Sequence, residues 1–290
     1  MRVADSDFVK RIMPKRSADA NKYSVGSLLC VCGSRGFAGA AALSLQGALR
    51  IGAGFVRCML PKSIYPIVSA LVPEAVFTLL PENEEGRISS EALGEILRAS
   101  RKADAVLIGP GLGNDKDIEA LVFALLLELE VPVVLDADGI NVISKHIDII
   151  ENAKCPLVLT PHEGEFSRLS GLTSSYIHEN REKVLRDFTE KNNAVVMLKG
   201  KDTLIAKGGD EMYINSTGNA GMATAGSGDV LAGMIASLIA QGADPFESAV
   251  LGAYLHGLSG DIAKEKFTEY SMLPSDIVSC ISEAIKISLK

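Results

Sequence analysis

The chain has 290 residues, 47% apolar and 22% charged, with a formal net charge of −7. That length admits one large domain or two small ones, and the negative balance gives no electrostatic basis for nucleic acid or an anionic membrane as partner. No run of about 18 apolar residues occurs, so no membrane span is expected. The opening MRVADSDFVKRIMPKR lacks the apolar stretch of a signal peptide. The five cysteines (Cys30, Cys32, Cys58, Cys155 and Cys280) have scattered spacings that match no metal or disulfide framework. They read as core thiols of a cytoplasmic protein.

Residues 1–26 are polar and punctuated by Pro14 and Gly26, and read as an N-terminal arm. From Ser27 onward, short apolar runs alternate with helical patterns. Strands are predicted over 27–32, 55–60, 76–80, 105–108, 131–135, 157–159 and 194–198. Helices are predicted over 40–51, 63–71, 90–100, 115–129, 163–169 and 175–192. A hairpin is predicted over 203–206 and 212–214 with its turn at Gly208-Gly209, and three further helices over 229–241, 245–264 and 274–289. Strands rich in Val, Ile and Leu on both faces, separated by helices, imply an α/β fold: a mostly parallel sheet covered by helices on both faces. No linker, repeat or low-complexity tract interrupts 27–290, which reads as a single catalytic domain.

Polar and glycine clusters fall at the C-terminal ends of predicted strands, at 33–39, 109–113, 136–141, 160–165 and 199–203. In an open parallel sheet those ends share one edge, where ligands bind. A longer segment, NSTGNAGMATAGSGD over 215–229, holds four glycines and no branched aliphatic residue. It is followed at once by the uncharged VLAGMIASLIA. This reads as a glycine-rich loop feeding a buried helix, whose unpaired first-turn amides and dipole favour a phosphate. Asp229 in that first turn is either a simple helix-capping carboxylate or a base beside the phosphate cradle.

Two common nucleotide motifs are absent. The only Gly-Lys pair, Gly200-Lys201, is followed by Asp202 and makes no P-loop. Between Gly33 and Pro73 there is no Asp or Glu to hold a ribose, which argues against a dinucleotide oxidoreductase. His162 is either a satisfied polar residue or a ligand contact at a strand end. Asp136 and Asp138 either cap the next helix or bind Mg²⁺ directly or through water. Lys199 and Lys201 are phosphate contacts or solvated lysines. No Cys/His constellation suggests zinc.

Taken together, GSRGFAGAA (33–41), GPGLG (109–113), LDADG (135–139), LTPHEGEF (159–166), LKG (198–200) and the 215–229 segment resemble, in order, the ADP-dependent NAD(P)H-hydrate dehydratases of the ribokinase-like superfamily. The resemblance spans roughly 14–285. It implies a three-layer ribokinase-like fold and repair of NADH or NADPH hydrated at the nicotinamide ring (the S epimer). ADP phosphorylates the added hydroxyl; phosphate is then eliminated, leaving AMP, phosphate and the dihydronicotinamide. The resemblance also implies that Asp229 is the catalytic base and that Ala40, Gly111, His162 and Asp229 contact the hydrated dinucleotide. It assigns Lys199, Gly200, Lys201, Asp202, Thr203, Asn219, Gly226, Ser227 and Gly228 to the adenine nucleotide. It implies Mg²⁺ as cofactor without naming protein ligands for it, a homotetramer, and a separately encoded NAD(P)H-hydrate epimerase as pathway partner.

One departure is visible. Relatives carry Gly-Gly-Thr-Gly-Asp where this chain has Ala225-Gly226-Ser227-Gly228-Asp229; Ala225 is tolerated without strain only at negative φ. The competing readings are a ribokinase-like kinase for a small alcohol such as a vitamin precursor, using the same loop and Asp229, and a catalytically silent nucleotide-binding protein. An intact cradle and Asp229 speak against the latter.

Overall fold

The structure is a computed structural model that describes residues 1–209 and 211–290. Ten strands form one sheet: β1 (Arg2–Val3), β2 (Ser27–Val31), β3 (Phe55–Pro61), β4 (Val76–Leu80), β5 (Ala105–Ile108), β6 (Val133–Leu135), β7 (Leu157–Leu159), β8 (Ala194–Leu198), β9 (Thr203–Ala206) and β10 (Met212–Asn215). Their order is β1-β10-β9-β8-β7-β6-β5-β2-β3-β4. Neighbours run parallel except where β9 pairs with β8 and β10. The central strands β2, β5, β6, β7 and β8 are buried along their whole length.

Alternation along these strands feeds two cores. Leu28 and Cys30 point to one side, and Leu29 and Val31 to the other. The first side is covered by α1 (Ser6–Ile12), α2 (Ala38–Ile51) and α3 (Tyr65–Leu71). The second is covered by α4 (Leu93–Ser100), α5 (Lys116–Glu128), α6 (Asp138–Ile143), α7 (Ile149–Asn152), α8 (Glu163–Ser170), α9 (Ser174–Glu179) and α10 (Arg181–Lys191). Three further helices, α11 (Ser227–Ala240), α12 (Pro245–Ser271) and α13 (Pro274–Ser288), return to the first side. The result is the helix–sheet–helix sandwich expected from the strand composition. All five cysteines are buried free thiols. Among the described residues no helix is long and apolar enough to cross a membrane.

Three local differences from the sequence reading have clear causes. Residues 1–13, part of the expected arm, contain β1 and α1. Asp5 caps α1 by accepting from the Phe8 amide at 2.8 Å, and Phe8 packs on Tyr213 with ring centroids 5.2 Å apart. Only two buried apolar residues, Phe8 and Val9, mark this helix, too few for a periodic signal. The single helix expected over 175–192 breaks at Asn180 (φ −130°, ψ 30°), leaving α9 and α10. After β6, the short helices α6 and α7 occupy residues that sequence patterning left open, because neither is long enough to show a helical period.

Candidate functional site

The strand C-termini do converge. The segments after β2, β5, β6, β7 and β8 lie side by side because those five strands are adjacent and parallel. Direct bonds sew them together. The Gly33 amide donates to the Pro110 carbonyl at 2.8 Å, and the Ser34 hydroxyl to the Gly111 carbonyl at 2.7 Å. The Lys199 amide donates to the Pro161 carbonyl at 2.8 Å. A Cβ on Gly109 would sit 1.8 Å from the Asp136 carbonyl, so only glycine lets the β5 and β6 ends approach this closely.

The 215–229 segment leaves β10 at Asn215 and is tied to α12. Asn215 Nδ2 donates to the Ala253 carbonyl at 3.2 Å, and the Thr217 hydroxyl to the Tyr254 carbonyl at 3.0 Å. Asp261 accepts from the Gly218 amide at 2.9 Å and from Asn219 Nδ2 at 3.0 Å. The segment then turns into α11 through Gly226, at φ 99°. Ser227, Gly228 and Asp229 form the first turn; the Ser227 amide donates to the Thr224 carbonyl at 3.3 Å, while the Gly228 and Asp229 amides have no acceptor among the described residues. Ala225 is not among the positive-φ residues: among described non-glycine residues those are Ala137, Asp202 and Thr268. The strain that an alanine would bring is absent, because the left-handed turn falls on Gly226, where this chain keeps glycine.

Asp229 is not a cap. The N-cap is Gly226, with no side-chain capping bond, and the Asp229 carboxylate accepts no hydrogen bond among the described residues. Its pKa is pushed up to about 7. Burial is the largest cause and Asp136 adds to it, Lys199 opposes both, and Asp138 and Glu165 raise it further. Lys199 Nζ donates to Asp136 Oδ1 at 2.9 Å, and the Thr160 hydroxyl bonds the same oxygen at 2.6 Å. Burial pushes the Lys199 pKa down, but Asp136 and Glu165 outweigh it, and the ammonium stays charged. A Cβ on Gly228 would lie 3.3 Å from Lys199 Nζ, so the cradle's amides and this cation share one place. Unpaired amides, an ammonium and a carboxylate half ionised near neutrality can together hold a transferring phosphoryl group and take a proton.

The other sequence-predicted residues distribute as follows. Ala40 lies in the first turn of α2 and Gly111 in the loop after β5; a Cβ on Gly111 would meet that of Ala40 at 3.0 Å. His162 forms the N-cap of α8. Its Nδ1 accepts from the Gly164 amide at 3.0 Å while Glu165 accepts from the His162 amide at 2.9 Å, and the ring edge stays open to solvent. Lys201 and Asp202 are exposed at the β8–β9 turn, with Gly200 at φ 153° and Asp202 at φ 54°. The Thr203 hydroxyl closes that turn by donating to the Gly200 carbonyl at 2.9 Å. The Asn219 side chain is committed to Asp261 and to the Gly221 amide.

Three residues escaped sequence reasoning. Asp261 anchors the loop, and His256 lies buried behind it with Nε2 3.4 Å from the Ser227 hydroxyl, its pKa lowered by burial to about 4. Arg181 binds the β8–β9 turn from below. Each comes from a helix, His256 and Asp261 lying 29 and 43 residues after their contacts and Arg181 17 residues before its own. Only chain-distant pairing, with no local motif, connects them to the loops.

Among the described residues no group of three or more His, Cys, Asp or Glu is placed to hold a metal ion. The carboxylates at the edge instead surround Lys199 and Asp229.

A doubly covered sheet with an anion-binding helix start and a carboxylate at the carboxyl edge defines an α/β protein of the ribokinase-like class. A family model described as NAD(P)H-hydrate dehydratase matches residues 28–283, and the chain belongs to that family. It is 39% identical over 285 residues to the bifunctional NAD(P)H-hydrate repair enzyme of Moorella thermoacetica, covering 98% of this chain and 54% of that protein. The chain thus spans about half the length of the first such relatives. It is 37% identical to the ADP-dependent (S)-NAD(P)H-hydrate dehydratase of Neisseria meningitidis, covering 88% of this chain and 82% of that one. Among solved structures, the Bacillus subtilis ADP/ATP-dependent NAD(P)H-hydrate dehydratase, co-crystallised with ATP/Mg²⁺, superposes with a TM-score of 0.83 at 25% identity, covering 99% of this chain and 98% of that one.

Proposed function

We propose that this chain dehydrates the S epimer of hydrated NADH or NADPH at the cost of a nucleoside diphosphate. The ring hydroxyl attacks the terminal phosphorus of ADP as Asp229 takes its proton, and AMP leaves. Loss of phosphate from the new ester, with loss of a proton from the neighbouring ring carbon, restores the dihydronicotinamide. Hydroxide is a poor leaving group and phosphate a good one, so phosphorylation makes the elimination feasible. The observation that carries this reading is Asp229: unbonded, with a pKa near 7, in the first turn of the helix that presents the phosphate-binding amides.

In this reading the amides of Gly226, Ser227 and Gly228 hold the transferring phosphoryl and Lys199 balances its charge. The 199–203 turn carries the rest of the nucleotide, and Ala40, Gly111 and His162 line the dinucleotide side. Asn219 supports the loop through Asp261. Mg²⁺ would ride on the nucleotide's phosphates with its own waters, near Asp136 and Asp138, as suits an edge that offers no all-protein cage. The same reading makes the protein a cytoplasmic homotetramer that works beside a separate NAD(P)H-hydrate epimerase, which returns the R form to the usable S form.

The test is direct. Hydrated NADH is incubated with the protein, ADP and Mg²⁺ while absorbance of the reduced nicotinamide is followed. Recovery is expected, with AMP and phosphate formed in equal amounts. No recovery with either ADP or ATP overturns the reading.

A further inference from the structure

The β8–β9 turn holds an unusual backbone: Gly200 at φ 153° and, two residues on, a non-glycine left-handed residue, Asp202 at φ 54°. A side chain costs free energy in that region unless its surroundings impose it. Those surroundings are one guanidinium. Arg181, the first residue of α10, donates from Nη2 to the Leu198 carbonyl at 2.9 Å, and from Nη1 to the Lys201 carbonyl and, at 3.4 Å, to the Asp202 carbonyl. Its Nε faces Glu163 Oε1 at 3.4 Å. The side chain is 16% exposed, and burial holds its pKa below the usual arginine value against the pull of Glu163 and Asp202.

The peptide plane turns this packing into a directional device. A trans peptide points its C=O and N–H in opposite directions. Because the Lys201 carbonyl faces Arg181, the Asp202 amide faces away from it, outward at the turn. The Lys201 and Asp202 amides donate to no acceptor among the described residues. Arg181 therefore determines which backbone donors the turn shows to a ligand. The fork geometry matters: a planar guanidinium can serve three carbonyls and a carboxylate at once, and an ammonium cannot.

We infer that Arg181 is a positioning residue for the nucleotide co-substrate. It holds the 199–203 turn in the one conformation that presents the Asp202 amide to the nucleotide, without touching the nucleotide itself. This rests on the assignment of that turn to the nucleotide under the proposed function. The break at Asn180 serves it, since α10 starts there with Arg181 turned inward. Through Glu163, next in sequence to His162, the same guanidinium joins the nucleotide-side turn to the dinucleotide-side strand end.

The experiment compares wild type with Arg181→Lys and Arg181→Ala, measuring ADP binding by calorimetry without hydrate, and then both KM values and kcat. Expected is a loss of ADP affinity of about tenfold or more in both variants, with the hydrate KM unchanged within about twofold. Added guanidinium ion should restore ADP affinity in Arg181→Ala but not in Arg181→Lys, whose side chain fills the cavity. Wild-type ADP affinity in the Lys variant overturns the inference, as does a variant whose melting temperature falls while ADP affinity stays put. If Arg181→Ala does not fold, Arg181→Lys decides alone. Because ADP binding is measured without turnover, a wild type that binds ADP and fails to dehydrate sinks the proposed reaction and leaves this inference standing or falling on the binding data.

Discussion

Asp229 carries a free-energy cost in the folded protein, and the sign of that cost is testable. Its carboxyl ionises near 7 in the folded state against an ordinary aspartate value of 3.8. Below 3.8 it is neutral in both states and has no effect. As pH rises from there to 7 the unfolded chain ionises first, so the folded state loses stability relative to it; above 7 the loss is constant. Asp229→Asn removes the titration. The variant should therefore match wild type near pH 4 and exceed it at pH 8 by about 2–4 kcal/mol, at 1.36 kcal/mol per pKa unit less solvent screening. Chemical denaturation at the two pH values measures this, and an equal difference at both would remove the carboxyl's charge as its source. The same titration governs activity, because only the ionised form accepts a proton. kcat/KM should rise with pH through about 7 with unit slope in wild type. Asp229→Asn should abolish turnover and leave ADP binding within about threefold, since the amides and Lys199 remain. Retained turnover would take the base role away from Asp229. The sequence made Asp229 visible but left it split between cap and base, because both roles put a carboxylate in a first helical turn. Burial and the neighbours Asp136, Asp138 and Glu165, drawn from the two strand ends after β6 and β7, decide between them, and none lies within sixty residues of Asp229 in the chain.

At the scale of elements, the cradle is only as well placed as the helix that carries it. α11 crosses α2 with backbones nearly in contact: a Cβ on Gly233 would lie 2.0 Å from the Ser44 carbonyl, and one on Gly47 2.4 Å from the Val230 carbonyl. Neither neighbour is a flexible side-chain tip. Gly233→Ala should cost about 3 kcal/mol despite alanine's better helix propensity, and should weaken ADP binding as well by moving the α11 start. Gly94→Ala, at an exposed position of α4 where the new Cβ meets only Arg98 Nη1 at 3.7 Å, should instead gain about 0.5–1 kcal/mol. Thermal melts of both variants check the pair; a rise in both would mean that helix propensity, not crossing geometry, dominates. The strands and the longer helices were legible because each is an apolar run bounded by glycine, proline or polar punctuation. The break at Asn180 was not, because Ser175 to Asn192 keeps helical spacing throughout. The glycines of α2 and α11 read from sequence as mere tolerance of a helix; only the crossing shows that they permit close approach.

Across the whole molecule, the sheet order separates two jobs. Strands β5 to β8 and β2 deliver the polar loops to one edge, while β1, β10 and α1 close the other end of the sheet, where Phe8 and Tyr213 stack with Phe246 of α12 at centroid spacings of 5.2 and 5.8 Å. The first residues read as an arm in sequence because charged neighbours dilute their apolar signal, yet Phe8 and Val9 are as buried as the central strands. Deleting residues 1–13 removes both and uncovers Tyr213, a loss of about 1.5–3 kcal/mol for each large side chain. The melting temperature should fall accordingly. β1 pairs with β10 beside Ile214, one residue before the 215–229 segment begins, so the deletion also asks whether that segment needs β1. The bonds that fix it run elsewhere, from Asn215 to Ala253, from Thr217 to Tyr254 and from Gly218 to Asp261, all on α12. The truncated protein should therefore keep the full stabilisation by ADP, about 2.7 kcal/mol at a hundred times Kd, added to a lower baseline. A truncated protein that melts earlier and also loses its ADP-induced shift would show that the edge strand, rather than α12, sets the geometry of the cradle.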